Sequence, residues 1–160
     1  MTPAAEDFLA KAMKRANQLY AQYVNRLHGR SGHLWEDRFF SCALDEEHFW
    51  TALVYVERNP VRAKLVRPAW RWPWSSAAAH CGDRDATGLL PLAAWRRRMD
   101  AGAWKEALTQ PQDEQIVSRL RSWTSRGRPL GGDHWVSKLE HALGRRLRPL
   151  PRGRPGKRQQ

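Results

Sequence analysis

Two side chains in the segment VYVERNPVRA, Tyr55 and Asn59, stand four residues apart, a spacing that puts both on one helical flank. A tyrosine can attack a phosphodiester and carry the covalent intermediate. With an ordinary pKa near ~10, the phenol needs help to do so. A divalent metal that polarises the phosphate supplies that help, and a side-chain amide oxygen such as that of Asn59 is a suitable ligand. The same spacing suits a packing tyrosine followed by an asparagine that ends a helix, and spacing alone favours this plainer reading.

The charge around these two residues points to the partner. The 160-residue chain has a formal net charge of +12 and a pI near 10.8, more than solubility requires, so a polyanion is expected, with nucleic acid ahead of an acidic membrane surface. Arg26, Arg30, Arg38, Arg58, Arg62, Lys64 and Arg67 surround the segment in sequence. Each phosphate contact they make adds salt-dependent affinity without choosing a sequence. Arginine and tryptophan together are the expected lining for unpaired bases. Trp35, Trp50 and Trp74 nevertheless read first as core residues, while Trp70 and Trp72, in a wetter loop, divide evenly between the two roles.

The elements that must position these residues follow from periodicity. Apolar residues from Phe8 to Leu27 form a 3.6-residue stripe and predict an amphipathic helix over 6–28. Nothing upstream is long enough to pack against it. The aromatic run after His33 predicts a strand over 38–43. Asp45, Glu46 and Glu47 open a helix at its positive end, and Asn59-Pro60 closes it. A short helix over 61–65, a tryptophan-rich loop and a short helix over 77–80 come next. Four further helices, over 92–99, 104–108, 112–123 and 133–143, read as a separate appendage, the last capped by Asp133. Residues 144–160 carry seven basic side chains and no acid, and read as a disordered basic tail. Within it PRGRPGKR (151–158) resembles an AT-hook, in which Arg152 and Arg154 would enter a minor groove; nonspecific phosphate binding by the same residues is the safer description.

Cys42 and Cys81 form neither a C-x-x-C pair nor a disulfide framework, which suggests a reducing, cytoplasmic setting. No leader is evident, and no apolar run approaches the ~18 residues of a membrane span.

Four segments in this order, YAQYVN (20–25), GHLWEDRF (32–39), YVERNPVRA (55–63) and WPWSSA (72–77), resemble the REP-associated tyrosine transposases, single-tyrosine relatives of the HUH insertion-sequence transposases. The likeness is strong over residues 5–85 and continues loosely through RGRPLG (126–131) to the tail. It implies an α+β, ferredoxin-like domain that binds single-stranded or hairpin DNA. It also implies tyrosine attack that leaves a 5′-phosphotyrosine and a free 3′-hydroxyl, with Tyr55 as nucleophile and Asn59 beside Mg²⁺ or Mn²⁺. The family's other metal ligands are an H-x-H pair on an earlier strand, and no two of the six histidines here are two apart. His28 and His33 read as packing or DNA-contact residues rather than substitutes.

The expectation is therefore a partial, predominantly helical ferredoxin-like domain over 1–85 that lacks its first strands, an appendage over 86–143 and a tail over 144–160. Its metal would be bound weakly. It would be a DNA-binding transposase fragment, cytoplasmic at the nucleoid, with little cleavage of its own. The alternative is a non-catalytic DNA-binding regulator, or an accessory subunit beside a full-length relative. The uncovered stripe over 6–28 would favour self-association. An RNA-binding module is the weaker option.

Overall fold

The computed structural model describes residue 5, residues 7–35 and residues 41–149. The chain divides into two compact units, Met1–Ser41 and Cys42–Gln160.

In the first unit a single helix, α1 (Phe8–Leu27), carries the predicted stripe, and none of its residues is buried. Tyr20, Tyr23 and Leu27 are all more than half exposed. Gly29, at φ +58°, takes the left-handed conformation that lets the chain leave the helix. The chain then turns back: Asn25 Nδ2 donates to Gly32 O at 3.0 Å and Trp35 Nε1 to Asn17 O at 3.2 Å. Trp35 packs its ring against Tyr20, with centroids 5.9 Å apart.

The second unit begins at α2 (Glu46–Glu57), whose capping residue Asp45 accepts from His48 N at 2.9 Å, with Glu46 and Glu47 in the first turn. Such a cap satisfies an amide that the helix leaves without a partner. Pro60, which has no N–H to donate, opens the short α3 (Asn59–Arg62) after a break at Arg58. A 3₁₀ turn (Ala69–Arg71) leads to α4 (Ala77–His80). Then follow α5 (Leu92–Arg96), α6 (Ala101–Thr109), α7 (Glu114–Ser125) and α8 (Asp133–Leu143). Asp100 and Asp113 cap α6 and α7 through Ala103 N at 3.0 Å and Gln115 N at 2.8 Å. At α8 the capping position is Gly132, not Asp133, and Gly132 N donates instead to Asp45 Oδ2 at 2.8 Å. Asp45 thus ties the starts of two helices together.

The core of this unit is aromatic. Ala69, Ala77, Trp104 and Leu108 are buried, with Trp50, Leu53 and Val54 of α2 and Trp95 of α5 packed against them. Trp104 meets Trp95 edge-on at 5.0 Å and Trp50 at 6.1 Å, the arrangement that ring quadrupoles favour. Helices α5 and α6, expected in a separate appendage, therefore complete the core against α2.

At the centre of that core lies a charged group. Glu57, the last residue of α2, is 1% exposed. Its Oε1 accepts from Ser76 Oγ at 2.5 Å and lies 2.6 Å from His80 Nδ1, while its Oε2 accepts from Trp104 Nε1 at 2.8 Å. His80 in turn stacks on Trp95 at 3.8 Å. Burial of a carboxylate is tolerable only with partners of this kind.

The expected α+β, ferredoxin-like architecture is not what folds. Among the described residues the structure is helical, and the one β feature is an isolated parallel bridge between Leu44 and Leu130. Residues 38–40 of the expected strand lie outside the described residues, and residues 41–43 form no strand. A strand needs a neighbour along its length. Among the described residues only Leu130 is offered, donating to Ala43 O at 2.9 Å and accepting from Asp45 N at 3.2 Å. No described helix is long and apolar enough to cross a membrane.

Candidate nucleic-acid interface

Tyr55 and Asn59 fall on either side of the break between α2 and α3, and Arg62, one turn further on, touches both. Its guanidinium lies over the Tyr55 ring with Cζ 3.8 Å from the centroid, a distance at which the ring face attracts a cation. Arg62 Nη1 donates to Tyr55 O at 3.0 Å, and Nη2 donates to Asn59 Oδ1.

A second guanidinium comes from a distant part of the chain. Arg121 of α7 donates from Nε to Tyr55 Oη at 3.1 Å, with its Cζ 5.8 Å from the ring centroid. This hydrogen bond raises the Arg121 guanidinium above its ordinary value. Gln112, just before α7, donates to Thr51 O at 3.2 Å and fixes the same helix to α2 one turn earlier. The phenol is thus half-buried between two cations rather than inside apolar packing.

Arg58 adds a third positive group. Its Nη1 is buried with no hydrogen-bond partner among the described residues. Burial, then the neighbouring charge of Arg62, holds its guanidinium below the usual arginine value. Positive charge crowded in this way is relieved by an anion.

The remaining predicted contacts are scattered. Lys64 and Arg67 are exposed just beyond α3, with Lys64 at φ +58°. Arg26 and Arg30 are exposed at the end of α1 in the other unit. Arg38, Arg152 and Arg154 lie outside the described residues. Trp50 is in the core, whereas Trp74, read first as a core residue, is 85% exposed. Trp70 is half-buried under Lys105, whose Nζ is 4.8 Å from the ring.

A divalent cation does not fit beside Asn59. The oxygen that would ligate it already accepts from Arg62, so the metal would replace a hydrogen bond and face a guanidinium. Among the described residues no group of three or more His, Cys, Asp or Glu side chains is placed to hold a metal. The two histidine–carboxylate pairs, His48 with Asp45 and His80 with Glu57, are both closed at 2.6 Å.

Arg121 and the Glu57 network are the residues that sequence reading missed. Glu57 and Ser76 both lie inside the quoted segments YVERNPVRA and WPWSSA, so a signal for that pair was present. Nothing in the sequence links Arg121 to Tyr55, 66 residues away. No family model, curated protein or solved structure matches the chain.

Proposed function

We propose that this chain is a DNA-binding protein of the single-tyrosine transposase type that holds single-stranded or hairpin DNA at the Tyr55 face and does not cut it. The observation that carries the proposal is the Tyr55 ring held by Arg62 and Arg121. Guanidiniums paired in this way suit a backbone phosphate, which they can meet with parallel N–H donors. The net charge of +12 supports a polyanionic partner, and the four quoted segments favour DNA over RNA. In this reading Tyr55 is a platform that orients two cations, and a regulator or an accessory subunit is the role that follows.

Incubation with hairpin-bearing single-stranded DNA and Mn²⁺, followed by a denaturing gel, tests the absence of cleavage. The expected result is tight binding in a native gel and no covalent adduct. An adduct that disappears in Tyr55→Phe would establish strand cleavage and overturn this assignment.

A further inference from the structure

An arginine-lined cavity lies elsewhere in the Cys42–Gln160 unit. Helix α8 ends at Gly144, which takes the left-handed conformation at φ +60°. Residues 145–149 then run back along the helix. Glu140 anchors this return: its Oε1 accepts from Leu147 N at 2.8 Å and Arg148 N at 2.9 Å, and its Oε2 pairs with Arg148 Nη1. Arg148 Nη2 also donates to Asp133 O at 2.7 Å and to Ser137 Oγ at 2.9 Å. Arg128 closes the loop by donating to Leu147 O at 3.3 Å.

Between this return and α7 is a cavity of about 370 Å³. Arg119 and Trp123, one turn apart on α7, form one wall; Arg146 and Leu147 form another, and Pro129 contributes to the floor. Asp133 also lines it, but it is paired with Arg148 at 3.6 Å. Three arginines against one carboxylate leave the lining cationic. Arg119 makes no hydrogen bond or ion pair among the described residues, and Arg146 makes only one bond to Pro149 O at 3.3 Å.

An indole face, two lightly engaged guanidiniums and apolar walls are the elements that bind an unpaired base with its phosphate. The volume lies within the range of small-ligand sites. We infer that the cavity between α7 and the return after α8 takes one unpaired nucleotide of bound single-stranded DNA, with the base against Trp123 and the phosphate between Arg119 and Arg146. This inference rests on the DNA-binding reading but uses none of its residues.

The test uses the full chain with an oligothymidylate of about 12 nucleotides carrying 5-iododeoxyuridine, which photocrosslinks to aromatic rings in contact. Mass mapping is expected to place a crosslink at Trp123. The exposed pair Arg119→Ala/Arg146→Ala, with its melting curve as a folding control, is expected to lose that crosslink and to show a salt slope of log K shallower by about 0.7. Arg62→Ala/Arg121→Ala is expected to weaken binding yet keep the Trp123 crosslink. Binding with a wild-type slope in the first double variant and crosslinks elsewhere would overturn the inference and leave the Tyr55 reading standing. Loss of effect in the second variant, with Trp123 still crosslinked, would do the reverse. Failure of the wild-type chain to bind the oligonucleotide at low salt would remove both.

Discussion

Tyr55 gains its meaning from two arginines that were not equally legible. Arg62 lies in the same short segment, and a cation one turn past the helix break can fold over the ring. Arg121 arrives only through the packing of α7 on α2, which depends on contacts such as Gln112 with Thr51 rather than on local pattern. Other single positions are equally constrained. A Cβ added at Gly131 would fall on the Trp135 ring and 2.9 Å from Asp45 Oδ2. Gly131→Ala is therefore expected to destabilise the protein by about 1–3 kcal/mol in urea unfolding, as overpacking does. Burial first, then the Glu57 charge, pushes the Cys81 thiol up to about 11. At neutral pH it stays protonated and should react with iodoacetamide far more slowly than free cysteine.

At the scale of elements, the start and end of α2 were the legible part: Asp45 with Glu46 and Glu47 opens it and Pro60 marks the break after it, because these signals are local. Asp100 and Asp113 cap α6 and α7 away from the starts expected at 104 and 112, and α8 is capped at Gly132 rather than Asp133. The strand expected over 38–43 was read from β-favouring residues, but strands are completed by partners, and Leu130 supplies a single bridge. Asp45 holds two helix starts, so Asp45→Ala is expected to cost about 1–2 kcal/mol, measured by thermal melting. Backbone amides of Arg148 and Leu147 hold the Glu140 carboxyl below the usual glutamate range, as the His48 amide does for Asp45. A depressed carboxyl stabilises the fold above its unfolded value, and that contribution disappears as pH falls through the folded one. Amide protection factors at Leu147 and Arg148, exchange rates taken relative to the intrinsic rate at each pH, should thus be high near neutrality and fall below the ordinary carboxylate range; Glu140→Gln should lower them already at neutral pH.

Across the whole molecule, the apolar pattern announced helices but not their order in space. Trp95 and Trp104 were placed in an appendage, yet they close the core on Trp50, and Trp104 also donates to Glu57. A buried carboxylate with three donors cannot be read from periodicity, which scores it as a polar surface residue. Glu57→Ala would leave Ser76, His80 and Trp104 without their acceptor and is expected to cost about 3–5 kcal/mol, a loss plain in any melting curve. The central claim concerns the opposite side of α2: Arg62 and Arg121 hold a DNA phosphate over Tyr55. Fluorescence anisotropy of a labelled hairpin with a single-stranded arm, titrated over a range of salt, tests it most directly. For Arg62→Ala/Arg121→Ala the slope of log K against log salt is predicted to be shallower than wild type by about 0.7–0.9, the signature of one lost phosphate contact. Equal slopes and equal affinities in the two proteins would contradict it.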